Sequence, residues 1–456
     1  MDRSRSLWAV VLMTAVLLLV ACTADGGGAV GLGSDRGTSV PDDFRQTASE
    51  ALISRTGLQG WVTYTPTASS TPPPTPIPSA TPLPKPTVPM SELQRILPIQ
   101  PPDGSRAEVV VADMQTPVTV ALAPDGRIFY TEKESGQLRV VVDGQVLPEP
   151  VYTATVGIAG EQGLIGLVFD PDFENNQYVW VSHTMPAGAN NDIKENRIIR
   201  LTLDGNVATE AVIAYQADNS KGDGTHNLNN MAFGPDGMLY VTLGDDAQPH
   251  LSGNLRDPRG KILRFKPTIP LSAPEDNPFY DGDGPNEDGI YAYGLRNSFD
   301  FVFDPLSEEV HILATENGPE CDDEVNLILP GNDYGWHSSY DCLDENRYGP
   351  ETNTIQPMLT WEGTSSPTGI VVYTGDDFPQ FYGDVFFCSY VDGLLHHMEL
   401  NRERTAFVNH HSINGLFCQT DILNGPDGEL YFLEGGGFGP GTLKRLFNTR
   451  RDWKTE

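Results

Sequence analysis

The sequence predicts an all-β protein, a six-bladed β-propeller, from two observations. From residue 107 onward, β-branched and aromatic runs are separated by Pro-Asp-Gly and Asn-Gly turns, and no stretch keeps a helical period. One strand-turn-strand unit also recurs six times in this part of the chain. Recurrence of a single unit favours blades arranged around an axis over the rival architecture, a pair of β-sandwiches.

Each unit contains a turn followed by alternating apolar and polar residues. The Asp-Gly turn supplies the positive φ that a tight strand connection needs, and the alternation buries one face of the strand. We therefore place the propeller at residues 105–450. In chain order the units are PDGRIFYTEKESGQLRVV from Pro124, PDFENNQYVWVSHT from Pro171, PDGMLYVTLGD from Pro235, DPLSEEVHILATENG from Asp304, FYGDVFFCSYVDGLLHHMEL from Phe381 and PDGELYFLEGGGFGPGTLKRL from Pro426.

Long segments rich in Asn, Asp, Gly and Pro separate some of the units, at 187–196, 246–259 and 267–288. Loops of this length on a rigid scaffold are where binding sites usually occur. We expect the ligand site to be built largely from such connections.

The charge of the chain limits its partners. The 456 residues include 29 Lys plus Arg against 62 Asp plus Glu, a formal charge of −33. Such a surface repels nucleic acid and anionic membranes and favours cations and neutral ligands. Sugars fit this surface better than phosphorylated metabolites, and we predict no nucleic-acid partner.

The N-terminus predicts export. Arg3 and Arg5 precede an apolar run, Leu7 to Ala21, which is too short to span a membrane and suits a signal peptide. Its end, Leu-Val-Ala-Cys, resembles a bacterial lipobox, so residues 1–21 are predicted to be a lipoprotein signal peptide and Cys22 the lipid-modified residue. A plain signal peptide with a chance cysteine is the alternative. The lipid would hold the protein on the outer face of the cell membrane.

Residues 22–104 are predicted to form a disordered tether. No hydrophobic period persists there, and Thr, Pro and Ser dominate from Thr65 to Pro89. Proline at this density keeps a chain extended. Short helices are conceivable at 44–53 and 90–96.

Four further cysteines predict two disulfides, because an exported protein meets oxidising conditions. We pair Cys321 with Cys342 and Cys388 with Cys418, since each pair is close enough in sequence to lie within one blade or its loops. Buried free thiols are the alternative.

The stretch from Gly289 to Trp336 combines a basic and an acidic motif. Arg296 and Asn297 follow a short aromatic strand, and the guanidinium offers a planar fork to an anionic ligand. An acidic loop comes next, formed by Asp322, Asp323 and Glu324 beside Gly318 and Pro319. Clustered carboxylates with carbonyls freed by a Gly-Pro turn suit calcium, although a solvated acidic loop is the alternative.

His226 is the candidate general base. It lies in GDGTHNLNNMAFGPDG, directly before a predicted strand. A histidine on such a loop titrates near neutral pH and can accept a proton from a substrate. The alternative is a structural histidine.

The order of these motifs resembles the glucose/sorbosone dehydrogenase family, soluble quinoprotein sugar dehydrogenases that use pyrroloquinoline quinone (PQQ) and calcium on a six-bladed propeller. The likeness runs from about Val109 to Leu446. It implies that His226 takes the proton from the anomeric hydroxyl of an aldose while a hydride passes to the quinone. It also implies that Gln162, in GEQGLIGLVFDPDF, contacts the quinone, and that Arg296 and Asn297, in YGLRN, are aimed at its oxygens.

The same resemblance implies two calcium sites. Gly318 and Pro319 match the carbonyl ligands of the calcium that touches the quinone. Glu324 and Tyr334 match members of a second site. Beyond Tyr334 the correspondence blurs, so that Asp341 and Asp344 are only candidates.

The sequence departs from the family at three places. The family holds the PQQ carboxylates with a late lysine and two late arginines, but the matching stretches here, CSYVDGLLHH and FCQTDILNGPDG, contain neither residue type. HNLNN replaces the paired glycines usual after the histidine, and Thr225 stands where some members have Asp. Loss of those cations removes much of the Coulomb attraction for a tricarboxylate.

Two functions are consistent with these residues and motifs. The first is an exported PQQ- and calcium-dependent oxidoreductase that oxidises the anomeric carbon of an aldose to a lactone and passes electrons to an unspecified acceptor. The second is a calcium-stabilised, non-catalytic propeller that binds carbohydrate or a protein partner. A propeller lactonase is a third candidate, but the sequence shows no evident ligand set for its metal. Retention of Gln162, His226, Arg296 and Asn297 favours the oxidoreductase.

Overall fold

The computed structural model describes residues 90–186, 195–218, 224–337, 340, 342 and 354–450. Their strands form six sheets in which chain neighbours are also spatial neighbours. The first strand of each sheet packs on the first strands of the two flanking sheets. These first strands therefore form a closed ring, which confirms the predicted six-bladed propeller.

A short helix and two strands precede the first blade: α1 (Met90–Leu93), β1 (Leu97–Ile99) and β2 (Ser105–Met114). Blade one contains β3 (Pro117–Leu122), β4 (Ile128–Glu132), β5 (Gln137–Val142), β6 (Gln145–Val146) and β7 (Tyr152–Thr153). Blade two contains β8 (Leu164–Phe169), the helix α2 (Phe173–Asn176), β9 (Tyr178–Thr184), β10 (Glu195–Asp204) and β11 (Val207–Asp218). Blade three contains β12 (Leu228–Phe233), β13 (Leu239–Leu243), the 3-10 turn Pro249–Leu251, β14 (Lys261–Phe265) and β15 (Ile290–Tyr293).

The second half of the propeller repeats this arrangement. Blade four contains β16 (Ser298–Phe303), β17 (Ile312–Glu316), β18 (Glu324–Ile328) and β19 (Leu359–Thr360). Blade five contains β20 (Pro367–Val372), the 3-10 turn Pro379–Phe381, β21 (Val385–Ser389), β22 (Leu394–Leu400) and β23 (Phe407–Phe417). Blade six contains β24 (Ile422–Asn424), β25 (Leu430–Gly435) and β26 (Gly441–Asn448).

The N-terminal strand closes the ring. β2 pairs antiparallel with β26, from Ser105 opposite Asn448 to Met114 opposite Gly441, and so supplies the outer strand of blade six. The two ends of the propeller sequence are thereby held in one sheet.

The apolar core lies between the blades. In the described part of the chain it divides into six clusters, each formed by two neighbouring blades. Full burial of one Leu or Phe side chain stabilises a fold by about 1.5 to 3 kcal/mol, so each blade is held mainly by its neighbours. Hydroxyls add links between blades, since Thr131 Oγ1 donates to Ile165 O at 3.0 Å and Ser182 Oγ to Asn229 O at 2.7 Å.

The end of the predicted tether belongs to the folded body. β1 pairs in parallel with β23, Leu97 lying opposite His411, and Leu93 of α1 is 1% exposed in the core between blades four and five. Apolar contacts and strand pairing therefore order residues 90–104, which the composition had assigned to the tether. The candidate helix at 90–96 is observed as Met90–Leu93.

Residues 1–89, with Cys22 and the candidate helix at 44–53, lie outside the described residues. Within the described residues, no helix is long and apolar enough to cross a membrane.

Both predicted disulfides are confirmed. Cys388 and Cys418 join β21 to the end of β23 within blade five, with their α-carbons 4.8 Å apart. Cys321 and Cys342 connect the acidic loop of blade four to the segment after β18, with α-carbons 6.0 Å apart.

We expect His410 to make the fold sensitive to acid. Its Nδ1 contacts Leu93 O at 2.6 Å, and burial, together with the charge of His396, lowers its pKa to about 3 from 6.5. Between these values the unfolded chain binds a proton that the folded chain does not, so the free energy of unfolding falls as pH falls. From pH 7 to 5 this histidine should cost about 2 kcal/mol.

Urea denaturation of wild type and His410→Gln at both pH values measures this contribution. The comparison is needed because burial raises the pKa of other groups, such as Asp300 to about 7, which changes stability in the opposite direction. The exposed His250, changed to Gln, is the matched control. Equal pH dependence in wild type and His410→Gln would contradict the prediction.

Candidate active site

The strand order places the candidate residues at one end of the propeller. The Pro-Asp-Gly turns join first to second strands and lie at the opposite end. Connections from second to third strands, and from one blade to the next, share the other end, because antiparallel strands alternate in direction. Gln162 precedes β8, His226 precedes β12, Asn297 precedes β16 and Gly318 follows β17. All four therefore lie at this end, which we call the site end.

His226 is held by a buried carboxylate. Its Nδ1 lies 2.5 Å from Asp245 Oδ1, and both side chains are buried. Asp245 also accepts hydrogen bonds from Trp336 Nε1 at 2.8 Å and from Ala247 N at 2.9 Å. Since a carboxylate only accepts, Nδ1 carries the proton and Nε2 is the nitrogen that can act as a base.

The backbone of His226 is strained. Its φ is +52°, in the left-handed region that non-glycine residues rarely adopt. Such strain costs about 1 to 3 kcal/mol and persists only where the surroundings fix it. Here His226 N donates to Glu161 Oε2 at 2.7 Å, and a β-carbon on Gly244 would lie 2.5 Å from His226 O. The ring is therefore held in one position.

Glu161 and Asp245 connect His226 to the Arg296–Asn297 pair. Asn297 Nδ2 donates to Glu161 Oε2 at 3.3 Å, the oxygen that also accepts from His226 N. Asp245 N donates to Arg296 O at 2.8 Å. The structure thus brings His226, Arg296 and Asn297 together, although they lie on loops of different blades.

The Arg296 side chain points toward the acidic loop. Its Nη1 donates to Asn317 O at 2.8 Å, and its guanidinium lies 5.5 Å from the ring centroid of Trp336. The amides of Arg296 and Asn297 both donate to Glu316 Oε1, at 2.9 and 2.6 Å. Burial raises the pKa of Glu316 to about 7.

A cleft beside Arg296 gathers oxygen atoms. Glu316 and Glu324 are direct partners on adjacent strands, and both are 5% exposed. The cleft is lined by Gly294, Leu295, Arg296, Glu316, Asn317, Gly318, Asp322, Glu324, Tyr334, Trp336 and Tyr340. Three of the predicted metal residues, Gly318, Glu324 and Tyr334, are therefore in one place.

Other acidic-loop residues have structural roles. Asp323 accepts from the amides of Gly318 at 2.8 Å and of Ser365 and Ser366 at 2.6 Å each, so its oxygens hold the loop. The Tyr334 hydroxyl donates to Leu327 O and accepts from Leu329 N, both at 2.8 Å. A cation bound by Tyr334 would therefore have to use its main-chain carbonyl.

Three candidate metal positions are not placed in this group. Pro319 follows Gly318 in the turn but does not line the cleft. Asp341 and Asp344 lie outside the described residues. Cys321, Asp322 and Cys342 also come together, but their sulfurs form a disulfide and cannot serve as thiolate ligands.

Comparison with known proteins decides the family. The profile of the Glucose / Sorbosone dehydrogenase family matches residues 114–443. This chain belongs to that family. Quinoprotein glucose dehydrogenase B of Acinetobacter calcoaceticus is 29% identical over 317 residues, covering 59% of this chain and 62% of that protein. The crystal structure of the soluble aldose sugar dehydrogenase of Escherichia coli in its apo form superposes with a TM-score of 0.66 at 25% identity, covering 75% of this chain and 99% of that one.

The chain is also similar to a protein that is not named as a dehydrogenase. Mouse Hedgehog-interacting protein is 26% identical over 260 residues, covering 49% of this chain and 36% of that protein. Membership of the glucose/sorbosone dehydrogenase family therefore does not by itself assign dehydrogenase activity. That activity has to be judged from the chemistry of the site.

One predicted quinone contact, Gln162, has an amide donor that a ligand could satisfy. Gln162 is 3% exposed, and its Nε2 has no hydrogen-bond partner within the described part of the chain. A buried amide donor is costly unless something accepts its hydrogen bond, so a ligand is expected there. The late stretches 388–397 and 417–428 supply no cation. Instead, Asp421 holds the closing strands, accepting from Val120 N at 2.6 Å and Ile422 N at 2.8 Å.

The cleft fits calcium. The carboxylates of Asp322 and Glu324, the phenol of Tyr340 and the carbonyl of Gly318 are all oxygen donors, as hard divalent cations require. Glu316 adds negative charge, although its oxygens already accept from two amides and the Ser298 hydroxyl. Two carboxylates buried face to face repel each other, and a cation between them would remove that repulsion.

Sequence reasoning missed the residues that organise His226. Asp245 and Trp336 are far from it in sequence, and Glu161 has no motif of its own beside Gln162. The nearest signal was the Leu-Gly-Asp-Asp end of β13, which places a carboxylate where a strand leaves the sheet.

Proposed function

We propose that this family member is an exported oxidoreductase, dependent on PQQ and calcium, that oxidises the anomeric carbon of an aldose to a lactone. The observation that carries the proposal is the pairing of His226 with Asp245, in contact with the loop that bears Arg296 and Asn297. A relative named as a quinoprotein glucose dehydrogenase and a neighbour named as an aldose sugar dehydrogenase support the substrate class.

The residues have distinct roles in this reaction. Oxidation of a cyclic aldose at C1 removes the hydroxyl proton and a hydride and forms the lactone carbonyl. When bound, PQQ would supply the two-electron acceptor for that hydride. His226 Nε2 accepts the hydroxyl proton, and the Asp245 carboxylate stabilises the imidazolium that results. Arg296 would offer a positive charge, and Gln162 an amide donor, to a bound quinone, and both would stabilise negative charge on it.

Calcium would be held at the acidic cleft. The carbonyl of Gly318, which lines the cleft, and that of Pro319, the next residue in the turn outside the lining, are proposed for the ion next to the quinone. Glu324 with the Tyr334 carbonyl is proposed for a second ion. A divalent cation at this position offsets the carboxylates that surround Arg296 and strengthens binding of an anionic cofactor.

We further propose export with lipid attachment at Cys22. The two disulfides, Cys321–Cys342 and Cys388–Cys418, support an oxidising compartment. The lipid would be the only membrane contact, and the electron acceptor would be a partner met at the cell surface.

The second candidate is a non-catalytic propeller that binds carbohydrate or a protein. It is favoured by the missing cations at 388–397 and 417–428 and by the similarity to Hedgehog-interacting protein. It predicts calcium binding without quinone binding.

Titration of the purified apo-protein with PQQ plus calcium separates the two candidates. The oxidoreductase predicts a change in the absorbance of PQQ on binding and reduction of the bound quinone when an aldose is added. Absence of binding at micromolar PQQ would reject the oxidoreductase and leave the binding propeller. Calcium without PQQ, and PQQ with EDTA, are the controls.

A further inference from the structure

Lys133 is a buried lysine whose Nζ has no hydrogen-bond partner among the described residues. It follows β4 directly, in a connection at the site end of blade one. The residue is 2% exposed, and no described residue accepts a hydrogen bond from its Nζ. Burial lowers its pKa, while the carboxylates of Glu134 and Glu161 act in the opposite direction.

The other deeply buried lysine shows what a structural role looks like. Lys261 Nζ donates to three carbonyls, of Leu251 at 3.0 Å, Ser252 at 2.8 Å and Arg259 at 2.6 Å. A buried ammonium normally needs such partners, because desolvation disfavours its charge. No described residue accepts a hydrogen bond from Lys133 in this way. The Phe438 ring and the charges of Glu134 and Glu161 are its nearby partners, so an oxygen acceptor from a ligand would complete its contacts.

Lys133 lies next to the candidate quinone contact. A β-carbon on Gly163 would be 2.4 Å from Lys133 Cγ, so the lysine stem packs on the residue that follows Gln162. The Nε2 of Gln162 is the second buried donor here that no described residue accepts. Glu161, before it, holds His226 and Asn297. Two unused donors therefore adjoin the network that positions the candidate base.

Lys133 also faces the blades that lack the family's cations. Its Nζ lies 4.2 Å from the ring centroid of Phe438, on the loop after β25 of blade six. That ring contacts Tyr390, in the stretch 388–397 of blade five, at 5.8 Å between centroids. The ammonium thus reaches, from blade one, a residue of blade six that adjoins blade five.

We propose that Lys133 binds a carboxylate of PQQ and takes the place of the lysine and arginines missing from 388–397 and 417–428. This inference rests on the proposed function, because it assumes that the quinone binds. It assigns the anionic end of the cofactor to the Nζ of Lys133, with Gln162 as the neighbouring donor.

The test compares Lys133→Met with wild type and with Lys266→Met. Strand β14 begins at the site end with Lys261, and Lys266 follows its last residue, so Lys266 lies at the opposite end. Lys266→Met removes the same charge there and serves as the control. PQQ is titrated in calcium buffer by quenching of tryptophan fluorescence, without sugar. We expect Lys133→Met to raise the Kd at least about tenfold and Lys266→Met to leave it unchanged.

Thermal melting without PQQ distinguishes binding from folding. Removal of a buried ammonium that no described residue accepts a hydrogen bond from should leave the melting temperature of Lys133→Met equal to or above that of wild type. Equal PQQ affinity in wild type and Lys133→Met, or weak binding by a variant that melts well below wild type, would overturn the assignment. Failure of wild type itself to bind PQQ would instead overturn the proposed function.

Discussion

Replacement of His226 by Ala is expected to lower aldose turnover by about 10²- to 10⁴-fold, the usual contribution of a positioned general base. PQQ affinity should stay nearly unchanged, because the proposed role of the imidazole is to accept a proton from the substrate and not to hold the cofactor. The two quantities are measured separately, by stopped-flow reduction of the quinone with aldose and by PQQ titration. Comparable turnover in His226→Ala would show that the base is another group.

Asp245→Asn tests the same centre without removing the base. The carboxylate accepts from His226 Nδ1, so Nε2 is left without a proton. An asparagine amide can donate to Nδ1 instead, which favours the tautomer with a proton on Nε2 and should reduce turnover by about 10²-fold or more. Asp276→Asn is the control, since Asp276 is an exposed partner of Arg264 outside the site. A fully active Asp245→Asn enzyme would contradict the assigned tautomer.

The propeller could be predicted because its signals are local. The turn at Pro124 to Gly126 and its counterparts mark the connection between first and second strands of a blade, and the second strands that follow are buried. Pairing of Cys388 with Cys418 was predictable for a similar reason, since both lie within one blade. Each of these features depends on residues close together in the sequence.

The tether boundary could not be found in this way. Leu97 pairs with His411, more than 300 residues later, and the short run around it has no strand signal of its own. The same holds for the site. Asp245 looks like a turn residue after β13, and its role appears only when Trp336 and His226 are brought to it from other loops.

The composition of the acidic loop predicts that a site is present. It does not predict which carboxylates of the loop belong to that site. Asp322, Asp323 and Glu324 read as one run, yet Asp323 accepts three backbone amides while the other two line the cleft. The direction of each carboxylate depends on the strand register of β17 and β18, which sets Glu316 opposite Glu324. A sequence that is acidic throughout does not reveal that register.

That register leads to a prediction about calcium. If the ion binds between the carboxylates of the cleft, calcium at about 1,000 times its Kd should add about 4 kcal/mol to the free energy of unfolding. Thermal melting in calcium and in EGTA measures this difference. Magnesium should not replace calcium, because the smaller ion requires octahedral geometry and keeps its water.

Glu324→Gln should remove most of the calcium effect and, in EGTA, melt at or above wild type. The substitution deletes one ligand, but it also ends the repulsion between two carboxylates buried opposite each other. Glu320→Gln is the matched control, because Glu320 belongs to the same acidic loop but is exposed. A wild type that melts equally in calcium and EGTA would show that the cleft binds no ion.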